Sequence, residues 1–299
     1  MRSEPKVLII ILNWNQYELT RQTLCSLNEI TYSDYEILLV DNGSTDDSFA
    51  RLKKDFPGMH TLAAGENLGV SGGRNAGIDF ARDRNDDYLL FLDNDVIVAE
   101  DFLGRLVEAL ESHPAAGGGQ SLVFHFDRPD LVCSAGGSFF PLICHHRTRR
   151  TNSVRQPIQD DRPVEIDWLG GVVQLYKKAV FSHIDGFDED YHPYGCEDAQ
   201  MGLDVKRKGY SLLLVPGSRI WHRAKAGNDW LEFKTKNNAS AMVLFLRKNT
   251  HRANFVFAFL WHLVNYVLRY SFIFLLRGRF TQLRALMAGL RQGWTKSIP

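Results

Sequence analysis

The stretch Tyr88-Leu89-Leu90-Phe91-Leu92-Asp93-Asn94-Asp95 runs apolar for five residues and then stops on three polar ones. An unbroken apolar run of this length reads as a strand covered on both faces, with the acids at its carboxyl end. Two earlier runs stop in the same way: residues 7–12 lead into Asn13, and 37–40 lead into Asp41-Asn42-Gly43-Ser44. Helices are predicted over 17–27 and 70–82, with a weaker strand near 59–63. Ser44 or Thr45 is predicted to cap the helix that follows, with Asp46 and Asp47 in its first turn. Strand and helix alternating over roughly the first hundred residues predict an α/β fold, a parallel sheet with crossover helices. Ligands of such sheets bind beyond the carboxyl ends of the strands, where Asn13, Asp41 and Asp93 stand.

Beyond residue 115 the pattern changes. Residues 117–126 and 131–140 read as strands with little helix between them, and 145–162 as an exposed, polar, basic loop. A strand-like segment over 166–176 is broken by Gly170-Gly171, and 197–208 reads as a short helix with acids at its start and Lys206-Arg207-Lys208 at its end. At 299 residues the chain can bury a substantial core, and 44% hydrophobic and 23% charged residues argue against general disorder. The zero net charge hides an asymmetry. From Arg247 onward there are nine Lys or Arg and no Asp or Glu, so the preceding residues carry a net −9. Cys25, Cys133, Cys144 and Cys196 show no CxxC pair or regular spacing, which points to reduced thiols in the cytosol. Met1-Arg2-Ser3-Glu4-Pro5 leads straight into a strand without an export signal.

Several segments carry chemistry. Asp93 and Asp95 at a strand end can hold a hard cation and leave positions open for phosphate oxygens; alone, such a triplet is more often a turn or cap, and its place after a core strand in an alternating fold shifts the balance. Asp41 can accept hydrogen bonds from a nucleobase imide or ribose hydroxyl, while Gly43 allows close approach. The run Asn67-Leu68-Gly69-Val70-Ser71-Gly72-Gly73-Arg74-Asn75 offers backbone N–H groups and a guanidinium to a phosphate, although it is not a GxGxxG fingerprint. Glu197-Asp198 at a helix start can supply a general base or merely complement the helix dipole. His222 is a candidate distant metal ligand, or a structural histidine.

Taken together and in order, "VLIIILNWNQYELTRQTLCSL", "LLVDNGSTDDS", "ENLGVSGGRNAGI", "LLFLDNDV" and "GFDEDYHPYGCEDAQMGLDVKRKGY" resemble the family 2 glycosyltransferases of the GT-A fold, in particular the bacterial rhamnosyltransferase-like branch of surface polysaccharide synthesis. The resemblance covers approximately residues 5–250. It implies a GT-A catalytic domain over 1–250, with a nucleotide-binding half to about 115 and an acceptor half from about 116. It also implies an inverting, metal-dependent hexosyltransferase using Mn2+ or Mg2+. The expected donor is a nucleotide sugar, dTDP-rhamnose or a UDP-sugar, and the expected acceptor a glycan or lipid-linked hydroxyl. Position by position, Asp41 matches the nucleobase contact, with Asn13, Asn15 and Ser44 beside it. Asn67, Gly69, Arg74 and Asn75 fall on the donor-phosphate side, and Asp93 and Asp95 on the metal and donor motif. Gly171 lies near the donor sugar, Asp198 matches the base with Glu197 as its understudy, and His222 matches a further metal ligand. Gln200 departs from the pattern, standing where relatives often carry a second acid, whereas Asn94 at the motif centre is common in this branch.

Residues 253–276 are apolar and aromatic but interrupted by His262, Asn265, Arg269 and Ser271. Arg269 would lie deep in a transmembrane span, so 251–299 are read as a basic, helical, membrane-surface segment. Trp261, Tyr266 and Tyr270 would sit at headgroup level, with Arg277, Arg279 and Arg284 against anionic lipid. Packing on the catalytic domain or at a homodimer interface is the alternative. The expected location is cytoplasmic, peripheral on the inner face of the membrane, with no nucleic-acid partner. Two other functions share the fold class: a sugar nucleotidylyltransferase, which would carry a Gly- and Lys/Arg-rich loop where Asn13-Trp14-Asn15-Gln16 stand, and a non-catalytic nucleotide-sugar-binding relative.

Overall fold

A computed structural model describes residues 4–148, 153–154, 161–223 and 228–298. The chain divides into two compact units, one of residues 1–138, 148–189 and 198–224, the other of 139–147, 190–197 and 225–299.

The first unit opens with the expected alternation: β1 (Val7–Asn13), α1 (Tyr17–Leu27), β2 (Tyr35–Asp41), α2 (Ser48–Asp55), β3 (His60–Ala63), α3 (Gly69–Ala81) and β4 (Tyr88–Leu92). These strands lie in the order β3-β2-β1-β4, all parallel, and Asn13 is in register with Asp41 at the carboxyl edge. Alternate residues of β1 explain its unbroken apolar run. Val7, Ile9 and Ile11 pack with Leu24, Leu52 and Phe102 on one face, while Leu8 and Ile10 pack with Ile78, Phe91 and Val205 on the other. Gly77 brings α3 close over that second face, since a Cβ there would lie 2.6 Å from Ile10.

Past β4 the sheet becomes mixed. The next elements are β5 (Val96–Val98), α4 (Phe102–Ser112), β6 (Ala116–His125) and β7 (Leu131–Ser134). A separate two-stranded ladder follows, β8 (Gly137–Phe140) with β9 (His145–Thr148). Then come β10 (Ser153–Val154), β11 (Val164–Ile166), β12 (Val173–Lys177), α5 (Glu197–Arg207) and β13 (Ser211–His222). β12 is antiparallel to β4, with Val173 opposite Leu92, so the Gly170-Gly171 loop before it arrives at the edge where Asp93 stands. β13 runs parallel to β6 and antiparallel to β5, which sets His222 opposite Val96.

Three expectations are corrected here. The predicted strand over 131–140 is two strands, because the chain turns at Gly136, whose φ is +66°. The predicted loop over 145–162 holds strands at His145–Thr148 and Ser153–Val154; residues 149–152 and 155–160 of it lie outside the described residues. Neither Ser44 nor Thr45 caps α2: its N-cap is Asp47, and Asp46 accepts the Ser48 N–H at 3.0 Å.

The second unit is helical: α6 (Asn228–Asn249), α7 (Phe255–His262), a π-helical turn at Leu263–Leu268, α8 (Arg269–Leu276) and α9 (Phe280–Thr295). Its small core joins Ala239, Phe274 and Leu286. Gly289 and Gly293 let α9 approach α6 closely, since a Cβ at Gly293 would lie 2.5 Å from the Ser240 carbonyl oxygen. Arg252–Leu276 is long and apolar enough to cross a membrane, by length and composition only.

Candidate active site

Two groups of predicted residues assemble at the carboxyl edge of the parallel strands. The first surrounds Asp41, which is only 6% exposed. Its carboxylate accepts the Ser44 N–H at 3.1 Å, the Ser44 hydroxyl at 2.5 Å and the Asn13 amide at 3.3 Å. Asn13 is fully buried, and its Nδ2 also donates to Ser44 and Ser48 while its Oδ1 accepts from Thr20. Asn15, at φ +55°, folds over the same loop and takes the Thr45 N–H on its Oδ1 at 2.7 Å. Ser44 is therefore committed to orienting Asp41, which is why it is not free to cap α2.

The second group starts from β4 and α3. Asp93, Asp95 and His222 bring one ligand atom each within 4.8 Å of one another. His222 Nε2 lies 3.1 Å from Asp95 Oδ1, and its Nδ1 lies 3.8 Å from the Cys133 sulfur. Burial lowers the His222 pKa, but the hydrogen bonds to Asp95 and Cys133 outweigh it and raise the group to about 10. Desolvation and the Asp95 charge raise Asp93 to about 6 against the pull of Arg74, although its side chain keeps 40% exposure and water still reaches it. Two acids held together by a protonated imidazole form a site whose positive charge a divalent cation can replace. The carboxylate oxygens suit Mn2+ and Mg2+ alike, the imidazole nitrogen favours a transition metal such as Mn2+ over Mg2+, and three ligands leave room for phosphate oxygens.

Arg74, nearly buried, joins these acids to Asp198. Its Nη1 donates to Asp198 Oδ1 at 2.8 Å, its Nη2 to the Gly171 carbonyl at 2.7 Å, and it stands 3.9 Å from Asp93. Asp198 Oδ1 also accepts from Gln174 Nε2 at 2.9 Å, while Oδ2 accepts no hydrogen bond among the described residues. A Cβ at Gly171 would lie 2.5 Å from that Oδ2, so the missing side chain keeps the oxygen clear. Glu197 is buried and takes the Gly195 N–H, which engages its carboxylate with the turn before α5.

Asn67 and Asn75 prove to be locally engaged. Asn67 Oδ1 accepts the Gly69 N–H at 2.9 Å at the start of α3, where Gly69 has φ +71°. Asn75 clamps the Phe187 backbone at both ends, donating to its carbonyl and accepting its N–H, each at 2.8 Å. That clamp sets the Phe187 ring 4.9 Å from the Arg74 guanidinium.

Sequence reading passed over Thr20, Gln174, Asn94 as a donor, and Cys133. Asn94 Nδ2 donates to the Thr20 hydroxyl at 2.8 Å, and that hydroxyl donates to Asn13, so Thr20 links the two groups. Gln174 left a usable signal: it is the single uncharged polar side chain inside the otherwise apolar run 172–176, where a buried amide needs a partner.

Residues 8–151 match glycosyl transferase family 2. The chain is 27% identical over 220 residues to N-acetylglucosaminyl-diphospho-decaprenol L-rhamnosyltransferase of Mycobacterium tuberculosis, covering 67% of this chain and 70% of that protein. It is 25% identical over 234 residues to rhamnosyltransferase WbbL of Escherichia coli, covering 74% and 85% respectively. Among solved structures, GalNAc-T7 with UDP, GalNAc and Mn2+ superposes with a TM-score of 0.64 at 15% identity, over 83% of this chain and about half, 48%, of that one. TarS of S. aureus, residues 1–349, superposes with a TM-score of 0.59 at 14% identity, over 96% and 80%. The matched residues carry the parallel strands β3-β2-β1-β4 and both acidic turns at their edge, so over these residues the chain is similar to glycosyl transferase family 2, and its fold is GT-A.

Proposed function

We propose that this glycosyltransferase moves a sugar from a nucleotide diphosphate to a hydroxyl of a glycan or lipid-linked acceptor, with inversion at the anomeric carbon. The observation that carries the reading is the unbroken run of contacts from His222 through Asp95 and Asp93 to Arg74 and Asp198. Asp93, Asp95 and His222 would hold Mn2+ or Mg2+, which when bound neutralises charge on the departing diphosphate. Asp198 Oδ2 takes the proton of the acceptor hydroxyl as that oxygen bonds to the anomeric carbon and the bond to the diphosphate breaks. Arg74 and Gln174 keep Oδ1 occupied, so the two carboxylate oxygens have separate tasks. Asp41, oriented by Asn13 and Ser44, accepts from the base or ribose of the donor. Two relatives bear rhamnosyltransferase names, one with a decaprenol-linked acceptor, and this supports dTDP-rhamnose and UDP-sugars as the first donors to test and a lipid-linked acceptor in surface polysaccharide synthesis.

The deciding experiment is Asp198→Asn. It keeps the hydrogen bonds of Oδ1 but supplies no base. Thermal stabilisation by dTDP or UDP with Mn2+ should match the parent, while transfer falls by about 10²–10⁴-fold. Parent-like transfer by the variant would remove Asp198 from the role of base.

A further inference from the structure

The second unit encloses a cavity of about 630 Å³ between α6, the long helix of α7 and α8, and the segment 140–147. Cys144, His146, Met242, Phe245 and His262 form its inner wall, and the exposed Phe140, Arg147, Arg269 and Tyr270 its rim. Among the described residues no Asp or Glu lines it. Burial pushes His145 and His146 down to about 4, so at neutral pH the guanidiniums of Arg147 and Arg269 are its formal charges. Much of the remaining lining is aromatic, with Ile143, Met242, two cysteines and two asparagines between the rings: His145 lies 4.5 Å from the Trp261 ring, and His146 5.1 Å from Phe245.

One polar atom of the wall lacks a partner. His262 Nε2 faces the carbonyls of Ile143 and Cys144 at 3.1 and 3.2 Å, so it must carry the proton, and Nδ1 is left as a bare acceptor. His262 is 5% exposed, and Nδ1 has no hydrogen-bond partner among the described residues. A buried acceptor left unmatched is unfavourable for the folded chain. The helix also runs in π register at Leu263–Leu268, beside this wall, and such turns concentrate at functional sites. Along the same helix Val256, Leu260, Val264, Leu268, Phe272 and Leu276 are exposed at intervals of four, an apolar ridge of the kind that enters a lipid surface.

We infer that this cavity binds the phosphorylated head of a membrane lipid, with the anion at Arg147 and Arg269 and the first carbons of the chain among Trp261, Tyr266 and Tyr270. Two cations without a counter-acid select an anion, and the aromatic wall selects an apolar body joined to it. The part this lipid plays in transfer rests on the lipid-linked-acceptor reading above; its binding does not.

The test is calorimetric titration of the full chain with monomeric farnesyl diphosphate, alongside inorganic pyrophosphate and farnesol. Farnesyl diphosphate should bind at least about tenfold more tightly than either fragment, and Arg147→Gln with Arg269→Gln should weaken it by about tenfold or more. Both arginines are exposed, so the double variant should keep the parental Tm and its response to dTDP or UDP with Mn2+. Equal binding of pyrophosphate, or undiminished binding of farnesyl diphosphate by the double variant, would overturn the lipid site. A parent chain that binds the lipid probe but no nucleotide would instead overturn the proposed function and leave this site standing.

Discussion

His222 holds its proton because Asp95 and Cys133 favour the charged ring more than burial opposes it, which places it near pKa 10, while Asp93 is raised to about 6. Between those values Asp93 is ionised and the imidazole is protonated, yet a metal ligand must be the neutral ring. Cation binding through His222 at pH 7.5 should therefore release about one proton, read by calorimetry in two buffers of different ionisation enthalpy. Affinity should rise by about tenfold per pH unit from pH 6 towards 10, and fall further below 6 as Asp93 takes up a proton. His222→Gln should abolish the dependence above pH 6. Binding without proton release would mean that His222 is a counter-ion and not a ligand.

At the scale of the element, α3 is a girder that serves several ends at once. Gly77 seats it on β1, Arg74 reaches Asp198 and the Gly171 carbonyl, and Asn75, one residue on, pins Phe187. Asn75→Leu leaves the Phe187 N–H and carbonyl without their side-chain partner. The expected cost is about 1–3 kcal/mol of stability, measurable by denaturant unfolding. Because the Phe187 ring lies against Arg74, transfer should fall by more than the loss of folded protein explains, while Mn2+ affinity stays near the parent value. An unfolding penalty with unchanged kcat would confine Asn75 to a structural role.

Over the whole molecule, the nine cations after residue 246 and the acid-poor apolar ridge lie in one stretch of chain, while the matching negative charge lies before it. Each basic residue near an anionic bilayer contributes about 1 kcal/mol, screened within a Debye length of about 10 Å at 0.1 M salt. The full chain should cosediment with anionic vesicles at low salt, much less with neutral ones, and be released as salt rises. Indifference to anionic vesicles at low salt would end the proposed peripheral placement at the membrane.

Local pattern was sufficient for the edge of the sheet. Apolar runs that end abruptly predict strands and name the residue at each end, so Asn13, Asp41 and Asp93 were placed from sequence, and the helix over 17–27 and strand over 88–92 have the expected bounds. These features were legible because they depend on a residue and its near neighbours. Partners chosen across the sheet did not follow from that pattern. Arg74 meets Asp198 across 124 residues because β12 returns antiparallel beside β4 and carries Gly171 and Gln174 to the same edge. Nor did that pattern give the internal partners of Asn13 and Asn75, whose amides bond Ser48, Thr20 and the Phe187 backbone. The chain by itself determined which chemistry stands at which strand end, because burial periodicity is local; which of those groups face one another was decided by strand order and register, which arise only when the sheet closes on its core.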